Sequence, residues 1–128
     1  MSDNRFKQTA IENYIAAYNN FDVEAMLNDL HRNVRFKNVS NGEVTLTTKG
    51  IAEFREQAER AKSLFSQREQ RITAINFQDD RATAEISYRG ILAVDLPNGL
   101  KSGGVLELAG KSIFRFADDK IIEIEDIS

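Results

Sequence analysis

The chain closes on the run KIIEIEDIS, residues 120–128. Read as a strand, Ile122, Ile124 and Asp126 share one face, because side chains alternate along a strand. That face is apolar until it meets a carboxyl. Against an apolar wall the charged form of a carboxyl is disfavoured and its pKa rises, which suits general acid or base work near neutral pH. Two tyrosines, Tyr14 and Tyr18, stand one helical turn apart, and either offers a hydroxyl to a developing oxyanion. His31, the single histidine, is a candidate second acid/base or hydrogen-bond donor. Each has a plainer reading. Asp126 reaches water or pairs with an arginine; the tyrosines are core rings with wet hydroxyls; His31, with Arg32 and Asn33 after it, caps a helix end.

Composition excludes several other chemistries. A chain of 128 residues suits one domain, 1–128, with one core. The net charge of −3 argues against nucleic acid as the main partner, since phosphate binding needs a basic face. With no cysteine there is no disulfide frame, no thiolate zinc site and no cysteine nucleophile, and one histidine cannot make an all-histidine metal site. No metal and no cofactor are expected. No apolar run approaches the roughly 20 residues of a membrane span. The start, MSDNRFKQTAIENY, lacks the apolar core of a signal peptide, so the expected location is cytoplasmic.

The elements that must position these groups follow from periodicity. In TAIENYIAAYNNFD, the residues Ala10, Ile11, Tyr14, Ile15, Tyr18 and Phe21 form one helical stripe. Asp22 caps a predicted second helix, VEAMLNDLHR, with Val23, Met26, Leu27 and Leu30 apolar. NVRFKNVS reads as a short strand with Val34, Phe36 and Asn38 on one side, and NGEVTLTTKG as a hairpin or loop. Ile51, Phe54, Ala58, Ala61 and Phe65 repeat at helical spacing in a third helix, whose charged face is solvated. Three consecutive strands, RITAINF, ATAEISYRGILAV and VLELAGKSIFRF, form an antiparallel meander, with DLPNG as a turn around the only proline, Pro97. ADDK then turns the chain into the last strand. Ala84, Ile86, Tyr88, Gly90 and Leu92 share one face, as do Leu106, Leu108, Gly110, Ser112, Phe114 and Phe116. Helices first and then a sheet indicate an α+β fold.

This order resembles the nuclear transport factor 2-like superfamily. YIAAYNNFD looks like its first helix running into an aspartate cap, TTKGIAEF like its glycine-led third helix, and IFRFADDKIIEIED like its final hairpin. The nearest branches are SnoaL-like and ketosteroid-isomerase-like. The resemblance implies a cone-shaped α+β fold, with three helices packed on a curved antiparallel sheet around an apolar cavity. It covers nearly the whole chain, yet the superfamily holds enzymes and plain binding proteins, so fold does not settle function.

The isomerase branch uses a tyrosine on the first helix, an aspartate base after the first strand and a protonated aspartic acid on the penultimate strand. Here the matching positions are Tyr14, Asn38 and Ser112. Asparagine cannot abstract a proton at neutral pH, and serine is a weaker donor than a poised carboxylic acid. Steroid isomerisation by that mechanism is therefore rejected. SnoaL-like cyclases carry an aspartate on the final strand, which Asp126 resembles. The expected pocket comprises Tyr14, Tyr18, Leu27, His31, Phe36, Asn38, Phe54, Ala58, Tyr88, Ser112, Phe114, Ile124 and Asp126.

The other sheet face is expected to carry Ile75, Phe77, Ile91, Ala93, Val105, Ile113 and Ile121, interspersed with Arg89, Glu107, Lys111, Arg115, Glu123 and Glu125. Such a mixture suits a homodimer interface. Two functional readings remain. One is a pocket protein binding a small apolar molecule without turnover. The other is an acid/base enzyme, of isomerase, cyclase or dehydratase type, acting on a small carbonyl compound with Asp126 and Tyr14 or Tyr18. A weaker third is an accessory subunit of a larger enzyme.

Overall fold

The computed structural model describes residues 4–97 and 99–128. Helices α1 (Asn4–Asn19) and α2 (Val23–Leu27) precede strands β1 (Leu30–Ser40) and β2 (Glu43–Lys49). Helix α3 (Ile51–Lys62) leads into β3 (Phe65–Gln78), β4 (Arg81–Leu92), β5 (Val105–Ala117) and β6 (Lys120–Ile127). One six-stranded sheet runs in the order β2-β1-β6-β5-β4-β3. It is curved and unclosed. All neighbours are antiparallel except β1 and β6, which pair parallel. That one parallel pairing departs from the expected antiparallel sheet. It arises because the chain returns to the middle of the sheet after the meander.

Turn chemistry sets the hairpins. Asn41 and Gly42 both have positive φ between β1 and β2, as do Asp118 and Asp119 between β5 and β6. Two-residue hairpin loops favour that backbone, and Asn, Asp and Gly tolerate it. The loop after β4 is closed by Leu96 N–H donating to the Leu100 carbonyl (2.7 Å) and Gly99 N–H to the Leu96 carbonyl (3.2 Å). Asn98, the fourth residue of the expected DLPNG turn, lies outside the described residues.

Several boundaries differ from the sequence expectation. α2 ends at Leu27, so His31 sits on β1 and not at a helix end. Leu30 already pairs with Ile121 on β6 and is buried there, which takes the chain out of the helix. The segment read as a hairpin or loop is β2. Phe65, read as the last turn of the third helix, opens β3, which starts six residues before RITAINF. The apolar spacing continues past Lys62, but Phe65 gains a partner, Leu92, across the sheet.

Two register shifts reassign faces. Between Ile72 and Ala74 the pairing with β4 slips by one residue. Ile72, Ile75 and Phe77 thereby all pack against the core, and Ile75 and Phe77 leave the outer face. In β6, Glu123 pairs with Arg115 and Ile121 with Phe116, leaving Ile122 as the extra residue. Ile121 and Ile124 are therefore both fully buried, and Ile122 is only partly so. An extra residue in one strand turns every later side chain to the other face.

The core lies between the helices and the inner sheet face. Ile11, Val34, Phe114, Ile121 and Ile124 are among its largest fully buried side chains, with Leu92 buried at the far end of β4. Near the β5–β6 turn the packing is closed, with Phe6 edge-on to Phe116. Toward the other ends of β4 and β5 it opens. On the outer face the charges pair within the chain: Arg35 and Arg115 with Glu123, Lys37 with Glu125, and Arg89 with Glu107. Among the described residues no helix is long and apolar enough to cross a membrane.

Candidate functional site

Where the core opens there is a cavity of about 420 Å³. That is the size of a small-molecule site. Its walls are mostly apolar, from Met26, Phe36, Leu46, Phe54, Phe65, Ile86, Leu106 and Leu108. Two groups of polar side chains interrupt them.

The first group is a row across three strands. Asp126 on β6 pairs with Ser112 on β5 and with Asn38 on β1, so all three present to the same face. Ser112 is buried, and its hydroxyl donates to Asp126 Oδ1 at 2.6 Å. Asn38 Nδ2 donates away from the carboxyl, to Thr45 Oγ1 at 2.7 Å. Asp126 keeps partial exposure as a residue, but its carboxyl is enclosed by protein. Desolvation pushes its pKa up to about 6, against which the Ser112 hydrogen bond acts weakly. No arginine pairs with it among the described residues.

Tyr14 faces this row from α1. Its ring packs against Phe54 and Phe114, with centroids 6.3 and 6.0 Å away. Its hydroxyl lines the cavity and has no hydrogen-bond partner among the described residues. Burial first, and the Asp126 charge second, raise its pKa well above the ordinary value, so it stays a neutral donor.

The second group is a pair of tyrosines. The Tyr18 hydroxyl donates to the Tyr88 hydroxyl at 3.0 Å, and the rings meet edge to face at 6.3 Å. Burial raises the pKa of both phenols above the ordinary value, so both stay neutral. Arg68 is buried behind them. Its guanidinium carbon lies 3.7 Å above the Tyr18 ring and 4.6 Å from the Phe21 ring, and its Nε donates to the Tyr18 carbonyl at 2.9 Å. Such stacking compensates a buried cation that meets no carboxylate among the described residues.

Of the expected pocket residues, Tyr14, Tyr18, Phe36, Asn38, Phe54, Ala58, Tyr88, Ser112 and Asp126 line the cavity together. Leu27, Phe114 and Ile124 do not; they are core side chains. His31 is elsewhere, with Nε2 3.3 Å from Asp118 Oδ2 and Nδ1 accepting the Asn33 N–H. The shortened α2 explains this, because on β1 the ring is carried to the β5–β6 turn. Sequence reasoning missed Phe65, Gln70 and Arg68. Phe65 and Gln70 were hidden by the misplaced start of β3, and nothing in the sequence marks Arg68 as buried. Among the described residues no three His, Cys, Asp or Glu side chains gather as a metal site.

Comparison with known proteins fits this architecture. The family model for the SnoaL-like domain matches residues 11–124. No curated protein matches the chain. A candidate polyketide cyclase from Xanthomonas campestris pv. campestris superposes with a TM-score of 0.83 at 21% identity, over 99% of this chain and 93% of the other. TsrD from Streptomyces laurentii gives 0.81 at 21% identity, over 98% and 90%. AclR from Streptomyces galilaeus, a candidate hydroxylase, gives 0.75 at 17% identity, over 98% and 89%. At these identities the likeness is one of fold, and the reactions named for the neighbours differ.

Proposed function

The chain belongs to the SnoaL-like domain family, and from that membership we propose that its cavity binds a small apolar carbonyl compound and moves a proton on the carbon beside the carbonyl. The observation that carries this reading is the enclosed Asp126 carboxyl, bonded to Ser112 at 2.6 Å, in one cavity with the unpartnered Tyr14 hydroxyl. In the proposed step the Asp126 carboxylate takes the α-proton. The C–H electron pair moves into the carbon–carbon bond, and the carbonyl π pair moves onto oxygen. The Tyr14 O–H donates to that oxygen as charge develops. Return of the proton to another carbon gives isomerisation; attack of the enolate on a second carbonyl gives cyclisation. Ser112 positions the carboxyl and supports its ionised form. Asn38 is an amide and takes no part in proton transfer.

The test is exchange of the α-protons of 2-tetralone in D2O, followed by proton NMR. Wild-type protein is expected to accelerate exchange, and the rate is expected to rise with pH through about 6 as Asp126 ionises. Asp126→Asn is expected to lower the rate by about 10²–10⁴-fold, the usual worth of a general base. Equal rates for the two proteins would leave the binding-only reading, which the amide at Asn38 favours.

A further inference from the structure

Three features stand outside the proton-transfer site. One is a basic crevice on the outer face, lined by Arg35, Lys37, Lys49, Arg81 and Arg115. It also holds Glu123 and Glu125, which pair with Arg35, Lys37 and Arg115. Another is the exposed Val105 on the outer face, where nothing shows what covers it. The third is the tyrosine pair, and it goes furthest.

Tyr18 donates its proton to Tyr88. The Tyr88 hydroxyl therefore has its own proton left to give, and among the described residues nothing accepts it. Both hydroxyls are in the cavity wall. The pair is held rigidly, since Tyr18 is clamped by the Arg68 guanidinium on its ring face and on its carbonyl. Phe65 packs edge-on to Tyr88, with centroids 6.0 Å apart. A donor that already accepts a hydrogen bond is also polarised by it.

The sheet register separates this donor from the carboxyl. Ser112 pairs with Ala84 on β4, and Tyr88 is four residues further along the same strand. At strand rise that is about 13 Å of backbone along β4.

Resting on the proton-transfer reading, we propose that Tyr88, set by Tyr18 and Arg68, is a second binding pole. It donates its hydroxyl proton to a second oxygen on the occupant, away from the reacting carbonyl, and it selects occupants that carry that second oxygen. Tyr88 is thus a specificity-determining residue, and Arg68 and Tyr18 are positioning residues.

The experiment compares dissociation constants of 2-tetralone and 6-hydroxy-2-tetralone, by titration calorimetry, for wild type, Tyr88→Phe and Asp126→Asn. Wild type is expected to bind the hydroxylated ketone several-fold to about tenfold more tightly, the worth of one added hydrogen bond. Tyr88→Phe is expected to erase that preference while keeping the affinity for 2-tetralone and the melting temperature. Asp126→Asn is expected to keep the preference. Equal affinities in wild type, or a preference that survives in Tyr88→Phe, would overturn the second pole while leaving the proton-transfer reading intact. Failure of both ketones to bind wild type would overturn the two together, and loss of exchange without loss of preference would isolate the fault to the proton-transfer step. If Tyr88→Phe melts early, Tyr88→Leu or Arg68→Met replaces it under the same criterion, the first removing the donor and the second releasing it.

Discussion

Ionising Asp126 works against folding. Its pKa is about 6 in the folded chain and near 3.8 when solvated. Between those values the native state holds a proton that the unfolded state has released. Stability therefore falls as pH rises through this window, and the loss is complete above about 6. Its ceiling is about 3 kcal/mol, from roughly two pH units at 1.36 kcal/mol each. Asp126→Asn keeps an oxygen for the Ser112 hydroxyl and removes the charge. It is expected to melt no earlier than wild type at pH 8, and to lose the slope of stability against pH between about 4 and 6. Urea denaturation at four pH values checks this; a variant less stable at every pH would show that the carboxylate is favourably held. A group retained at such a cost fits a reactive site better than a structural one.

At the scale of elements, the site depends on how β6 is seated. Gly110 on β5 lies against the end of that strand, and an added Cβ would come within 2.4 Å of the Ile127 carbonyl oxygen. The obstacle is backbone, which cannot swing aside. Gly110→Ala is expected to cost about 1–3 kcal/mol, as overpacking does, and to displace Asp126, one residue before Ile127. A melting temperature equal to wild type would show that β6 tolerates the shift. The same strand shows why sequence reading succeeded in part. Periodicity put Tyr14, Ser112 and Tyr88 on the core-facing sides of their elements, and the family resemblance supplied the cavity they face. Ile75, Phe77 and Ile121 were assigned to the wrong face, because one extra residue in β3 and another in β6 shift the alternation. No local signal in RITAINF or KIIEIE marks the slip. His31 was misplaced because LNDLHR keeps a helical spacing while Leu30 finds a better partner across the sheet in Ile121. Arg68 and Gln70 escaped notice since β3 begins inside what reads as the end of a helix.

For the whole molecule, the fold closes one end of a curved sheet with aromatic and branched side chains and leaves the other end hollow. The helices supply Tyr14 and Tyr18, the sheet supplies Asp126, Ser112 and Tyr88, and the cavity between them is where their chemistry can meet. The outer face is less apolar than its alternation suggests. With Ile75, Phe77 and Ile121 turned inward and its charges paired within the chain, an interface there would rest on Ile91, Val105 and Ile113. The central claim is that the fold encloses one ionisable carboxyl in an apolar cavity. Carboxyl-carbon NMR of the ligand-free protein, with Asp126→Asn to assign the signal, tests it most directly. The account predicts a titration midpoint for Asp126 near 6; a midpoint at or below the solvated value of about 3.9 would mean that the carboxyl meets water or a cation, and would contradict it.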